Sequence, residues 1–182
     1  MENQEDKDIE IVEEELKIYK VGDEILRVET EEVQDINGEL VDFIKKMFYT
    51  MYQNRGIGLA ATQVGSTKRF FIADLKLNEE PSKKLILINP IITESEGSEI
   101  GEEGCLSVPG VSESVKRKYK VLLKAIDING KEIEIEADGL LARVFQHELD
   151  HLHGKLFIDY LSPIKKKLVL NRLKKQRKEE GW

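Results

Sequence analysis

Two histidines and a glutamate in the segment FQHELDHLHG, residues 145–154, constrain the fold of this chain more than any other feature. His147 and His151 are four residues apart and Glu148 follows the first of them, which is the HExxH pattern of metal-binding helices. On a helix both histidines continue the apolar stripe of Val144, so they are predicted to face the interior. A carboxylate buried beside them would be costly without a positive partner. The pattern therefore favours a metal site on a buried helix over two hydrogen-bonded core histidines.

The third metal ligand distinguishes the enzyme classes that use this pattern. One branch of metalloproteases has a third histidine where this chain has Phe157, and another takes a glutamate from a later helix. After Asp159 the only downstream carboxylates are Glu179 and Glu180, at the charged end of the chain. Upstream, Cys105 is the only cysteine. A thiolate with two imidazoles suits Zn²⁺ or Fe²⁺ and leaves one position open for water, which makes Cys105 a candidate third ligand. Taken alone, a single cysteine is more often a structural residue, so both interpretations stay open at this point.

The rest of the chain predicts a mixture of helices and antiparallel strands. Apolar residues recur at helical spacing between residues 37 and 54. The segments 69–75 and 85–90 are short apolar runs typical of buried strands, and Asn129-Gly130 is a hairpin turn signal. A C-terminal helix is predicted to begin at Pro163, because proline is favoured in the first helical turn.

The composition indicates one soluble domain. The chain has 182 residues, of which 40% are hydrophobic and 35% are charged. It contains no apolar run of the roughly 18 residues that a bilayer requires, and its start lacks the features of a signal or transit peptide. We therefore expect a cytoplasmic protein with no membrane partner.

The two ends of the chain carry opposite charge. Residues 1–16 contain eight acidic residues and one lysine, and they are predicted to form a disordered or loosely docked extension. Residues 163–182 contain eight lysines and arginines against two glutamates, although the whole chain has a net charge of −7. The basic end predicts either a polyanionic partner or simply a solvated helix face.

Three motifs, together with their order and spacing, resemble those of the bacterial peptide deformylases, which are iron-dependent metallohydrolases. The motifs are GIGLAATQVG at 56–65, EGCLS at 103–107 and QHELDHLHG at 146–154. The resemblance implies an α+β fold in which a central HExxH helix packs against small, mostly antiparallel sheets and a C-terminal helix follows. It also implies an organisation into the extension 1–16, a catalytic domain 17–164 and a basic C-terminal helix 165–182.

The function implied by this resemblance is hydrolysis of the N-formyl group of N-formylmethionyl nascent peptides, with release of formate. In that reaction a metal-bound water attacks, and Glu148 acts as general base and then general acid. The Gln63 side-chain amide and the Leu106 N–H would stabilise the negative charge on the formyl oxygen. The implied ligands of the single divalent metal are Cys105, His147 and His151.

The resemblance also implies the metal and the substrate contacts. The family prefers Fe²⁺, whereas these ligand types also admit Zn²⁺, Ni²⁺ or Co²⁺. Glu103 and Arg117 match an ion pair that steadies the cysteine loop. The positions that would offer a strand edge to the peptide, or an apolar pocket to its methionine, are Ile57, Gly58, Gly104, Leu140 and Val144.

Three positions depart from the family pattern, namely Arg55, Gly101 and Ser112, which leaves the shape of the pocket and the peptide affinity open. By resemblance, the basic helix 163–178 could contact the ribosome, and no DNA partner is expected. Two alternatives stay open at this stage. One is a metalloprotease that uses HExxH for peptide-bond hydrolysis, and the other is a non-catalytic binding module stabilised by a metal.

Overall fold

The computed structural model describes residues 9–76, 78 and 82–182. Within these residues the chain forms three α-helices and seven β-strands, together with short 3₁₀ turns. The helices are α1 (Gly38–Gln53), α2 (Gly139–Leu152) and α3 (Pro163–Glu180). The strands are β1 (Gly58–Ala60), β2 (Phe70–Ala73), β3 (Leu85–Glu96), β4 (Glu99–Cys105), β5 (Val108–Arg117), β6 (Lys120–Ile126) and β7 (Glu132–Asp138).

The strands form two separate antiparallel sheets. Five strands are ordered β1-β2-β3-β6-β7, and β4 and β5 form a two-stranded hairpin of their own. The predicted turn at Asn129-Gly130 connects β6 and β7, in which Leu123 pairs with Ile135. The predicted α+β fold with small antiparallel sheets is confirmed.

Helix α2 lies at the centre of the fold and packs against β1, β2, β6 and β7. Asp138 occupies its N-cap position without a side-chain hydrogen bond, and Gly139 begins the helix at a φ of +55°. The ring of Phe145 packs 5.9 Å from that of Phe71 on β2. Together with Leu152 they belong to the larger hydrophobic cluster, which holds α2 against the five-stranded sheet.

A second hydrophobic cluster holds the β4–β5 hairpin. Val108, Val111 and Val115 on the hairpin pack there with Phe157 and with Leu173 of α3. Cys105 contacts this second cluster, whereas its neighbour Leu106 contacts the larger one. The boundary between the two clusters therefore runs through the cysteine loop.

The extension predicted over residues 1–16 is described in part. Residues 9–16 pack on α1, since Ile9, Ile11 and Leu16 reach the larger cluster and the Leu16 N–H donates to Thr50 Oγ1 at 2.8 Å. Residues 1–8 lie outside the described residues.

The predicted C-terminal helix is present, and its N-cap is the Ser162 side chain, which accepts a hydrogen bond from the Lys165 N–H. Only Leu173 of its apolar residues is buried, while Ile164 and Leu168 are 76% and 64% exposed. Among the described residues, none of the helices combines the length and apolar character needed to cross a bilayer.

Candidate metal centre

The three predicted metal ligands converge at the boundary between the hairpin and α2. Cys105 ends β4, and a register shift after Gly104 interrupts the strand pairing there, as bulges do where a side chain is re-aimed. His147 and His151 come from α2. Cys105 Sγ lies 3.3 Å from His151 Nε2, and the candidate ligand atoms of the three residues all lie within 4.8 Å of one another.

This arrangement fits a divalent metal. Metal–sulfur and metal–nitrogen bonds of about 2.3 and 2.0 Å in a tetrahedral site separate ligand atoms by roughly 3.5 Å. Burial lowers the pKa of His151 well below its ordinary value, so its imidazole is neutral and free to coordinate. Within the described residues, the buried carboxylate oxygen Glu148 Oε2 has no hydrogen-bond partner beside these donors. This unpaired oxygen could accept a hydrogen bond from a water molecule bound to a metal that the thiol and the two imidazoles hold.

Glu103 orients the first histidine. Its Oε1 atom lies 2.7 Å from His147 Nδ1, and its carboxylate also accepts hydrogen bonds from Arg117 Nε and Nη2, both at 2.9 Å. Burial would raise the pKa of Glu103, but the bonds from His147 and Arg117 lower it to about 2. The ionised carboxylate favours a proton on His147 Nδ1, which leaves Nε2 as the coordinating nitrogen.

Phe157 packs on the same imidazole. Its ring lies 6.0 Å from that of His147 with an angle of 25° between the planes, and only 1% of the residue is exposed. The residue that stands where some proteases have a third histidine therefore helps to fix the plane of a ligand.

The sequence analysis did not predict two charged neighbours of this cluster, Arg143 and Asp150. Arg143 Nη1 donates to Glu103 Oε2 at 2.8 Å, and Arg117 Nη1 donates to Asp150 Oδ2 at 2.6 Å. The spacing did contain a signal for Arg143, because it lies one turn before His147 on the same helical face. A buried arginine on that face requires an acidic partner nearby.

Glu148 is 4% exposed and lies beside Gly58. Burial raises its pKa to about 7, with a further contribution from the Glu103 charge against the opposing charges of His147 and Arg117. A Cβ atom on Gly58 would lie 2.7 Å from Glu148 Oε1. The absent side chain of Gly58 therefore provides the space that the carboxylate occupies.

The Gln63 amide is held in one orientation. Its Oε1 atom accepts from the Ala60 N–H at 2.9 Å, so its NH₂ group points towards Cys105 Sγ at 3.4 Å and Ser107 Oγ at 3.1 Å. Leu106 follows Cys105 in the turn between β4 and β5. Both predicted oxyanion donors thus belong to residues next to the candidate ligands.

A cavity of about 480 Å³ opens onto this centre. Ser112 and Arg55 also line it. Gly101 instead lies against the Arg143 guanidinium, and a Cβ atom on Gly101 would lie 3.0 Å from Arg143 Cζ. Leu140 is 55% exposed at the edge of the cavity. The cavity is lined by all five predicted substrate positions, Ile57, Gly58, Gly104, Leu140 and Val144.

Comparison with known proteins identifies the family. Residues 15–167 match the family model described as polypeptide deformylase. The chain belongs to the polypeptide deformylase family. It is 51% identical over 159 residues to a peptide deformylase of Thermodesulfovibrio yellowstonii, and the aligned residues cover 87% of this chain and 96% of that protein.

Solved structures agree with this family assignment. A peptide deformylase from Legionella pneumophila superimposes with a TM-score of 0.87 at 41% identity, covering 92% of this chain and 98% of that one. A second, from Ehrlichia chaffeensis in complex with actinonin, gives a TM-score of 0.84 at 36% identity, covering 89% and 97%.

Polypeptide deformylases are metal-dependent hydrolases that act on N-formylmethionyl peptides. Membership of the family confirms the predicted enzyme class and function. It favours them over the alternatives of a metalloprotease and of a non-catalytic binding module.

Proposed function

We propose that the cluster around Cys105 is the centre at which the formyl group is hydrolysed, with Cys105, His147 and His151 as the ligands of one divalent metal. The observation that carries this proposal is the convergence of the three donors within 4.8 Å of one another. A metal held there would supply Lewis-acid chemistry, polarising the formyl carbonyl and acidifying water. The family preference makes Fe²⁺ the proposed native metal, with Zn²⁺, Ni²⁺ or Co²⁺ as substitutes.

Glu148 carries the proton in this proposal. Its buried carboxylate, whose Oε2 atom has no hydrogen-bond partner among the described residues, accepts a proton from the attacking water and later returns one. Water oxygen bonds to the formyl carbon, the carbon–nitrogen bond breaks, and Glu148 protonates the departing amine. The products are formate and a peptide with a free N-terminal amine.

Gln63 and Leu106 stabilise the charge that develops on the formyl oxygen. The Gln63 amide is supported in this role by its fixed orientation, since the Ala60 N–H holds its oxygen and leaves the NH₂ group on the side of Cys105. A donor that is already in place requires no reorganisation during the reaction. Leu106 contributes its backbone N–H from the adjacent turn.

The peptide binds as an added strand. Its methionine side chain enters the cavity between Leu140 and Val144, while its backbone pairs with the exposed edges at Ile57, Gly58 and Gly104. Backbone pairing gives affinity that does not depend on the later residues of the peptide. That property suits an enzyme acting on many nascent chains in the cytoplasm, where we place this activity.

We also propose that α3 contacts the ribosome. It carries the exposed Lys167, Lys174 and Lys178 along its length. Ile164 and Leu168 are exposed as well and can pack against a partner surface. Exchanging Lys167, Lys174 and Lys178 for glutamate should abolish salt-sensitive cosedimentation with ribosomes and spare activity on free peptides. A triple exchange at the exposed Lys83, Lys116 and Lys131 is the control. Unchanged cosedimentation of the α3 variant would refute the contact.

The activity is tested with two matched peptides that differ only in the N-formyl group. We expect the metal-loaded protein to release one formate per formylated peptide, and to leave every internal peptide bond of both peptides intact. Mass spectrometry and a formate assay distinguish these outcomes. Cleavage of internal bonds without formate release would overturn the proposal in favour of a protease.

A further inference from the structure

The candidate ligands come from two parts of the fold that no shared sheet connects. Cys105 ends β4 in the two-stranded hairpin, whereas α2 carries both histidines and packs on the five-stranded sheet. The hairpin is held by the second hydrophobic cluster, and α2 by the larger one. The distance between the cysteine and the histidines therefore depends on side chains that cross from one part to the other.

Arg143 crosses from α2 to the hairpin. Its Nη1 atom donates to Glu103 Oε2 and to the Val115 carbonyl, both at 2.8 Å, and its Nη2 atom donates to the Glu99 carbonyl at 2.9 Å. Only 8% of its side chain is exposed. The guanidinium thus binds both strands of the hairpin from a position one helical turn before His147.

Arg117 crosses in the opposite direction. It begins on β5, bonds to Glu103 on β4, and reaches Asp150 on α2 at 2.6 Å. Glu103 is the point at which the two arginines meet, since one carboxylate oxygen lies within 2.9 Å of each guanidinium. One arginine side chain thus links the helix to the hairpin from α2, and the other links them from β5.

Gly101 is matched to Arg143. A Cβ atom at Gly101 would lie 3.0 Å from Arg143 Cζ and 3.1 Å from its Nε. Any side chain there would require the guanidinium to shift by a few tenths of an ångström, which alters its hydrogen bonds to the hairpin carbonyls. Gly101, which departs from the family pattern, therefore provides the space that the Arg143 guanidinium occupies.

We propose that Arg143 is a positioning residue that sets the separation between Cys105 and the two histidines, and thereby determines how long the centre retains its metal. The inference rests on the ligands assigned under the proposed function. Arg143 bonds to neither cysteine nor histidine, and it acts through Glu103 and the hairpin backbone. Removing such supporting contacts typically lowers metal affinity about 10- to 100-fold.

The test uses protein loaded with Co²⁺ alone, whose absorption bands report thiolate and imidazole ligation. Transfer of Co²⁺ to an excess of chelator gives a release rate for the wild type and for Arg143→Met, a change that removes the guanidinium and keeps an unbranched side chain. We expect release from Arg143→Met to be at least about tenfold faster, with altered cobalt bands. Gly101→Ala should accelerate release as well, because it displaces the same guanidinium.

Two variants separate positioning from general loss of structure. Arg143→Lys keeps the charge but cannot bond to both strands at once, so its release rate should lie between those of the wild type and Arg143→Met. Arg172→Met removes an arginine that is exposed on α3, and it should release Co²⁺ at the wild-type rate.

Equal release rates and spectra for the wild type and both Arg143 variants would overturn the inference while leaving the ligands intact. A wild-type protein that lacks a cobalt–thiolate band would overturn the ligand assignment, and the inference with it. The two failures are thereby distinguishable.

Discussion

His147 Nδ1 lies 2.7 Å from Glu103 Oε1, and this contact links a candidate metal ligand to a buried cluster of charges. Arg117 and Arg143 bond to the same carboxylate, and all three charged side chains are at most 8% exposed. The carboxylate thus serves two purposes. It fixes the tautomer of the histidine, and together with Asp150 it balances the charges of two guanidinium groups that could not be buried alone.

Exchanging Glu103 for glutamine should destabilise the protein strongly. The neutral amide leaves the buried Arg143 guanidinium without its carboxylate partner and leaves Arg117 with Asp150 alone, and breaking a buried pair costs about 3 to 5 kcal/mol. Chemical denaturation measures the loss in the free energy of unfolding. Glu113→Gln is the control, because its pair with Lys165 lies near the surface and should contribute at most about 1 kcal/mol. Equal losses in the two variants would contradict this account of Glu103.

A methyl group at Gly58 should lower activity. In Gly58→Ala the new Cβ lies 2.7 Å from Glu148 Oε1, so the carboxylate must move away from its present position. A displacement near 1 Å at a reacting group can cost about 100-fold in rate. Formate release measures the effect. Gly38→Ala is the matched control, because no atom lies within 4 Å of its Cβ position, and it should keep full activity.

The amide of Gln63 should matter for the rate and not for substrate affinity. In Gln63→Met we expect kcat to fall about 100- to 1,000-fold with little change in KM, because the lost donor acts on charge that develops only in the transition state. Steady-state formate release at varied peptide concentration separates the two constants. Gln176→Met, on α3, where the amide donates to Glu180, should behave as wild type. A rise in KM with unchanged kcat would indicate a binding role for Gln63.

Asp159 should make stability depend on pH in the acid range. Burial raises its pKa, but the hydrogen bonds from Arg27, the Leu156 N–H and Lys166 lower it from 3.8 to about 2. A depressed pKa means that the stabilisation is complete above about pH 4 and is lost as the pH falls towards 2. Asp159→Asn should be less stable at pH 6 and should lose less stability between pH 4 and 2. Denaturation of this variant and of Asp42→Asn, across that range, measures the difference.

The parts of the site that lie close together in sequence were predictable. The HExxH helix, the Asn129-Gly130 hairpin and the start of α3 at Pro163 follow from periodicity and local turn or capping preferences, which act over a few residues. Cys105 required a different argument. It was the only cysteine of the chain, and no downstream residue could complete the site.

The contacts of Arg143 could not be predicted in the same way. They join α2 to residues 28 and 40 positions earlier in the chain, and the placement of the hairpin against the helix is decided by tertiary packing. The contacts of residues 9–16 could not be predicted either, because a few apolar side chains stand among many acidic ones. On α3, the start at Pro163 was predictable, but tertiary packing decides that Leu173 is buried while Ile164 and Leu168 are exposed.

The most direct test of the central claim is metal content and formate release measured together on purified Cys105→Ala protein. Cys105 is the only cysteine of the chain, so no other thiol can replace it as a ligand. We predict that the variant folds, retains less than about a tenth of the wild-type metal, and releases formate at a correspondingly low rate, since two imidazoles alone hold a divalent ion weakly. A variant that keeps a full equivalent of metal and releases formate at the wild-type rate would contradict the assignment of Cys105 as a ligand.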